Sequence, residues 1–392
     1  MRVTIVPALP PRCVLGYTFT PGIIFPCVPH TEGLGMDIAI TLATPEQRRQ
    51  KPGDESSLGF GKFFSDHMFL MRYREGTGWH DARIVPYRPL SLDPAAMVLH
   101  YGQEIFEGLK GYRGAGGTVC LFRPEKNFER MNLSARRLCM PQIPVKEALA
   151  AVTALLRVDR GWIPGSRGTS LYIRPTMIAT EPGLGVRPSA EYLFFIITGP
   201  VGSYYARGLE PVRILVEETY VRAAKGGLGE AKAGANYAAS LLAAKNAKES
   251  GYDQVLWLSA DGREEVEEVG TMNIFFVIGD EIVTPPLSGS ILPGVTRDSV
   301  LRIARGWGLP VSERRIGMEE IRRAAADGTL REVFGTGTAA VISPVGALRY
   351  RGEELVVNGG APGDVSRKLF AEISGIQYGE IFDRYGWVHR VE

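Results

Sequence analysis

From Met36 onward, short runs of β-branched and aromatic residues alternate with stretches of helical periodicity, and Gly, Pro and Asp punctuate the joins. This texture dictates an α+β or α/β fold. The apolar spacing predicts helices over Pro124–Cys139, Pro144–Arg157, Tyr237–Glu249, Arg297–Gly306, Met318–Ala325 and Asp364–Ser374. The last of these follows Pro362-Gly363, with Gly375 read as its stop signal. Strands are predicted at His67–Tyr73, Thr118–Phe122, Leu171–Met177, Tyr192–Thr198, Val212–Glu217, Gln254–Ser259, Met272–Ile278, Glu281–Thr284 and Val341–Tyr350. A Gly199-Pro200 break followed by Ser203, Tyr204, Tyr205 and Gly208 is read as the connector between two halves.

A chain of 392 residues has room for two domains or three. Its charges nearly cancel, 45 Lys+Arg against 43 Asp+Glu, which gives no support to a nucleic-acid binder. Uncharged stretches such as Ile282 to Thr296 are broken by Pro and Gly and fall short of the roughly 18 apolar residues a spanning helix needs, so no membrane partner is expected. Four cysteines are too few for a disulfide framework, which favours a reducing, cytoplasmic setting. No CxxC or HExxH occurs and the five histidines are scattered, so no metal site is expected. Residues 1–35 stand apart, holding six of the 26 prolines and only Arg2, Arg12 and Glu32 as charges. Pro21 and Pro26 interrupt any signal-peptide core. This segment is read as a loosely attached extension or an over-extended start, with Met36 the natural first residue; an intact mass of protein made from the native gene decides that.

Four segments could carry chemistry. In KGGLGEAKAGANYAAS, Lys225 to Ser240, Lys232 sits among Ala and Gly, where a desolvated amine could act as a Schiff-base nucleophile, although this stretch by itself favours a surface lysine in a flexible loop. In EEVEEVGTMNIF an acidic run ends at a buried strand, and Glu268 beside it could face a cofactor's pyridine nitrogen or be a solvated hairpin edge. ILPGVTRDS leads from a Pro-Gly turn into a helix with Thr296 near its N-terminus, either a phosphate site or an ordinary helix start. GTGTAA, Gly335 to Ala340, matches a dinucleotide fingerprint by letter, but a proline and strand formers follow it. It remains suited to cradling a phosphate or a substrate carboxylate with backbone N–H groups.

Together with WHDARIVPY, YGQEIFEGLKGYR, LFRPEKNFERM, LYIRPTMIATEPGLGV, QVLWL and REVFGTGTA, these segments resemble the branched-chain amino acid aminotransferases, pyridoxal phosphate enzymes of fold type IV. The resemblance runs from about Lys62 to Tyr378. It implies a smaller N-terminal α/β domain (36–199), an interdomain loop (200–211) and a larger cofactor-binding domain (212–392), with pyridoxal 5'-phosphate at their interface. It also implies reversible ping-pong transfer of an amino group between L-leucine, L-isoleucine or L-valine and 2-oxoglutarate, in branched-chain amino acid biosynthesis or breakdown.

Residue by residue, the resemblance makes Lys232 the lysine that bonds the cofactor aldehyde and later moves the substrate Cα proton. Glu268 would face the pyridine nitrogen and Tyr237 the phenolic oxygen. Arg123 would bind the phosphate with Val295, Thr296 and Thr338. Tyr101, Phe106, Tyr172, Tyr204, Thr271 and Ala339 would line the substrate pocket, with Arg174 taking glutamate's distal carboxylate. Leu184 and Val186 would enter from a neighbouring subunit, so a homodimer is implied. Where the human-type enzymes carry a redox CxxC, this chain has Ala340 and Ser343, so thiol regulation there is not expected. The rivals are a D-amino acid aminotransferase or aminodeoxychorismate lyase on the same fold, and a non-catalytic binder of phosphate ligands.

Overall fold

The computed structural model describes residues 36–202 and 209–391; the predicted extension 1–35 and Tyr204 lie outside them. Two nine-stranded sheets carry the described chain. The first runs Ala39–Ile40, Gly78–Pro86, His67–Arg74, Glu191–Val201, Ser170–Ala179, Leu109–Arg113, Val119–Phe122 and Val388–Val391, with Glu104–Phe106 paired beside Ser170–Ala179. The second runs Val266–Val269, Gln254–Leu258, Val212–Val216, Val341–Tyr350, Leu330–Gly337, Met272–Ile278, Glu281–Thr284 and Val311–Glu313, with Glu353–Val356 added to Val341–Tyr350. Val266–Val269 pairs with Met272–Ile278 as well as with Gln254–Leu258, so part of the second sheet closes into a barrel without open edges.

The alternation in Glu191–Val201 buries Tyr192, Phe194, Ile196 and Thr198 on one face, as a period of two requires. Phe69, Phe128, Leu155, Ile173 and Phe194 form the core of this half. The Pro124–Arg137 helix starts with Pro at its first position and buries Phe128, Met131 and Ala135 along one stripe. In the other half, Phe275 and Phe334 stack between the sheet and the helices Val295–Gly306 and Asp364–Gln377.

Several expectations are corrected. The Glu191–Val201 strand passes straight through Gly199-Pro200: a Cβ on Gly199 would lie 2.0 Å from the Phe63 carbonyl, so this glycine serves a close chain crossing rather than a break. Gly375 lies inside the last helix, where a side chain would strike Ile381, so it marks packing rather than a stop. The predicted Tyr237–Glu249 helix is two, Gly234–Ala239 and Leu241–Glu249, so Tyr237 lies within a short turn of its own. The final strand, Val388–Val391, returns to the first sheet beside Val119–Phe122, so the sheets do not divide the chain cleanly at residues 199 to 212.

Candidate functional site

Lys232 is strung between the two halves by its backbone. Its N–H donates to Ser134 Oγ at 2.9 Å, and its carbonyl accepts from the Phe106 N–H at 3.0 Å. Small residues are required around it. Ala231 and Ala233 are buried, a Cβ on Gly234 would lie 2.5 Å from Glu104 Oε2, and one on Gly229 would lie 2.1 Å from the Ser290 carbonyl. The composition that drew attention in sequence is thus the composition this crossing needs. Lys232 Nζ donates to Tyr237 Oη at 2.6 Å, and the Phe106 ring lies 4.7 Å from the same nitrogen.

Glu268 sits in the barrel wall, 2 % exposed. Its carboxylate pairs with Arg222 Nε at 2.6 Å and accepts from Asn273 Nδ2 at 3.0 Å and the Leu292 N–H at 3.2 Å. Burial outweighs the Arg222 attraction and pushes its carboxyl up to about 7. Arg222 is fixed in turn by the Ser290 carbonyl at 3.0 Å. Sequence reasoning missed Arg222 and Asn273, because a lone Arg and a strand Asn carry no motif.

The predicted phosphate residue Arg123 lies against the start of the Val295–Gly306 helix, donating to the Val295 carbonyl at 3.4 Å. It heads the Pro124–Arg137 helix with φ 50°, stacks over Trp387, and spends its donors on Asp298 at 2.5 Å and Ser299 Oγ at 2.7 Å. Arg130, two helical turns on, is the guanidinium that faces inward. It meets Glu107 with Nε–Oε1 at 2.7 Å and Nη2–Oε2 at 2.8 Å, and donates to the Pro293 carbonyl at 3.2 Å. Burial opposes both charges; mutual attraction wins, holding Glu107 below and Arg130 above the ordinary value. Pro293 leads into the Val295–Gly306 helix, which starts without a side-chain cap, so the N–H groups of Val295 and Thr296 have none to satisfy them.

Along the first sheet's face, Arg174 stacks over Phe106 at 4.6 Å and Tyr172 at 5.2 Å, and donates to Tyr172 Oη at 3.0 Å. Its buried Nε has no acceptor among the described residues, a donor left over for a ligand. A Cβ on Gly108 would lie 2.1 Å from Tyr172 Oη, so Gly108 is what lets Tyr172 lie there. Thr338 and Ala339 follow the Leu330–Gly337 strand on a half-buried turn, and Thr271 is exposed at the tip of the preceding hairpin. Tyr101 donates to the Leu184 carbonyl; Leu184 and Val186 are 67 % and 86 % exposed on their loop, away from any enclosed wall of this chain.

A buried carboxylate, an inward arginine beside an uncapped helix start, and an amine next to a phenol fit a phosphorylated, pyridine-type aldehyde cofactor. A match to the amino-transferase class IV family spans residues 104–348. The chain is 54% identical over 352 residues to branched-chain-amino-acid aminotransferase 2 of Bacillus subtilis, covering 90% of this chain and 97% of that one. Among solved structures it resembles the Escherichia coli branched-chain amino acid aminotransferase, with TM-score 0.70, 28% identity, and coverage of 83% of this chain and 99% of that one. It also resembles the enzyme of that name from Thermobaculum terrenum in PLP-form, with TM-score 0.67, 26% identity, and coverage of 83% and 98%.

Proposed function

For a chain that belongs to the class IV aminotransferases, and among them to the branched-chain-amino-acid aminotransferases, we propose a division of labour among its own residues. The enzyme depends on pyridoxal phosphate, which when bound supplies an aldehyde for the amino group and a ring that accepts electrons from the substrate carbon. Lys232 Nζ holds the cofactor aldehyde in the resting enzyme and, once released, takes and returns the proton at the substrate Cα. Tyr237 Oη, 2.6 Å from that nitrogen, aims it and binds the cofactor's phenolic oxygen. Glu268 keeps a proton on the pyridine nitrogen, with Arg222 and Asn273 fixing the carboxylate.

Arg130, in place of Arg123, holds the phosphate with the Val295 and Thr296 N–H groups and Thr338. Support comes from its pairing with buried Glu107 and its place at the Pro293 carbonyl. Phe106 and Tyr172 wall the branched side chain, and Arg174 accepts the distal carboxylate of glutamate, so that 2-oxoglutarate and L-leucine, L-isoleucine or L-valine alternate in one pocket by a ping-pong course. Thr271 and Ala339 complete the pocket, and Tyr101, Leu184 and Val186, joined by the Tyr101–Leu184 hydrogen bond, complete that of a second copy in a homodimer. Their exposure on this chain supports that assignment. Among the described residues no helix is long and apolar enough to cross a membrane, and Cys120 and Cys139 are free, which supports a cytoplasmic setting.

The observation that carries the reading is the Lys232–Tyr237 pair set against the Phe106–Arg174 wall. Borohydride reduction of the cofactor-loaded enzyme followed by peptide mass spectrometry tests it. The cofactor mass is expected on the Lys232 peptide and absent from Lys232→Ala; a tag on another lysine, or none, overturns it.

A further inference from the structure

One carboxylate beside the site has no part in the roles above. Glu104 and Phe106 alternate along the Glu104–Phe106 strand, so their side chains share one face. That strand pairs antiparallel with Ser170–Ala179, setting Glu104 opposite Ile178 and Phe106 opposite Thr176, and facing residues of such a pair also share a face. Arg174, Thr176 and Ile178 alternate on the partner strand, so Glu104 stands on the face that carries Arg174 and Phe106. It also abuts the crossing that holds Lys232, because its Oε2 is the atom a Cβ on Gly234 would meet at 2.5 Å. Half-buried there, Glu104 makes no hydrogen bond and no ion pair among the described residues. Burial raises its carboxyl and outweighs the attraction of the Arg174 guanidinium.

A half-buried carboxylate with no partner costs stability, and a Gln or Leu would fill the same space without that cost. The charge is accounted for by what the shared face must do. It meets two kinds of side chain in turn: glutamate brings an anion to Arg174, whereas leucine brings none and leaves the guanidinium to the charges of the protein. An unopposed Arg174 would favour the acidic substrate strongly, and a like charge close to the incoming anion is what reduces such a preference. Resting on the reading of Arg174 as the ligand of glutamate's distal carboxylate, we propose that Glu104 is a specificity-determining residue: its carboxylate opposes that anion and offsets the Arg174 charge when a branched side chain fills the pocket. Arg174 admits the acid, and Glu104 keeps the acid from excluding leucine, isoleucine and valine.

The test is a titration of cofactor-loaded enzyme with glutarate and with 4-methylpentanoate, neither of which can react, followed through the cofactor absorbance at about pH 8, well above the ordinary carboxylate range. In Glu104→Gln the ratio of glutarate affinity to 4-methylpentanoate affinity is expected to rise about tenfold, the scale of one like-charge contact in a partly buried site. Glu104→Ala, which removes the charge together with the side chain's bulk, is expected to raise the ratio by a similar factor and serves if the glutamine variant does not fold. A ratio that stays unchanged or falls, including one left unchanged because both ligands shift by a common factor, overturns the proposal. Glutarate that binds Arg174→Met as tightly as wild type removes the reading of Arg174 and this inference with it; glutarate weakened by Arg174→Met beside Glu104 variants of unchanged ratio removes only the role of Glu104.

Discussion

Replacing Glu107 by Ala isolates what holds Arg130 in place. Glu107 is fully buried, and its carboxylate takes two hydrogen bonds from Arg130, one from Asn127 Nδ2 at 2.9 Å and one from the Gly108 N–H at 3.1 Å. Removing it leaves a buried guanidinium without its counter-ion, which costs about 3–5 kcal/mol. Set against an unfolding entropy of about 2.1 cal/mol/K per residue over roughly 350 residues, a loss of ~4 kcal/mol lowers the melting temperature by ~5 °C. Calorimetry of the cofactor-free protein measures this fall. Absorbance titration with pyridoxal phosphate should show at least about tenfold weaker binding, since an unanchored arginine no longer presents its fork to the phosphate. Glu107→Gln preserves the shape and a neutral acceptor, so it should fall between wild type and Glu107→Ala in both measurements. A Glu107→Ala protein that melts within ~1 °C of wild type and holds the cofactor equally well refutes the reasoning, both for the pair and for Arg130 as the phosphate ligand.

Glu268 gives a pH signature. Because its folded value is raised from 4.5 to about 7, the cofactor-free fold binds this proton more tightly than the unfolded chain does. Its contribution to stability, about 3 kcal/mol, is complete below pH 4.5 and is lost as pH rises to about 7. Glu268→Gln should flatten the melting temperature of the cofactor-free protein across that window; an unchanged slope sinks the assignment. Gly108→Ala should push Tyr172 off Arg174 and raise KM for glutamate about tenfold with cofactor binding intact, as steady-state kinetics would show. Tyr237→Phe, which takes away the 2.6 Å partner of Lys232, should lower kcat for L-leucine by about 10- to 100-fold while cofactor is retained. Leu184→Asp with Val186→Asp should shift sedimentation toward monomer and weaken activity together, and a fully active monomer would contradict the shared pocket.

Much of this site was legible because its constraints are local. Lys232 and Tyr237 are five residues apart on one crossing, and the Ala and Gly between and before them are what that crossing demands. Glu268 stood out by its place at the edge of a buried strand. The choice between Arg123 and Arg130 was not legible. Arg123 is the left-handed residue just before the helix and Arg130 lies within it, so spacing in sequence does not say which guanidinium reaches the site, and only tertiary packing ranks them. Asp298 and Ser299 claim the first, Glu107 the second.

Strands were missed for a related reason. Leu109–Arg113, and the continuation of the strand-like REVF (Arg331–Phe334) to Gly337, contain glycines that lower strand propensity, yet a Cβ on Gly335 would lie 2.9 Å from Met272 Cε, so the glycine is what admits the neighbouring strand's side chain. Val388–Val391 is short, and its partner Val119–Phe122 lies at the far end of the chain, where no local pattern can announce the pairing.

The central claim is that one pocket transfers amino groups from both branched-chain amino acids and glutamate. Single-turnover absorbance of the pyridoxal phosphate-loaded enzyme tests it most directly, with L-leucine, L-glutamate and D-alanine added in separate runs. Conversion of the cofactor to its amine form by L-leucine and L-glutamate, and not by D-alanine, is the predicted result. Conversion by D-alanine alone would leave the fold standing and contradict the substrate assignment, and no cofactor spectrum after loading would contradict the enzyme itself.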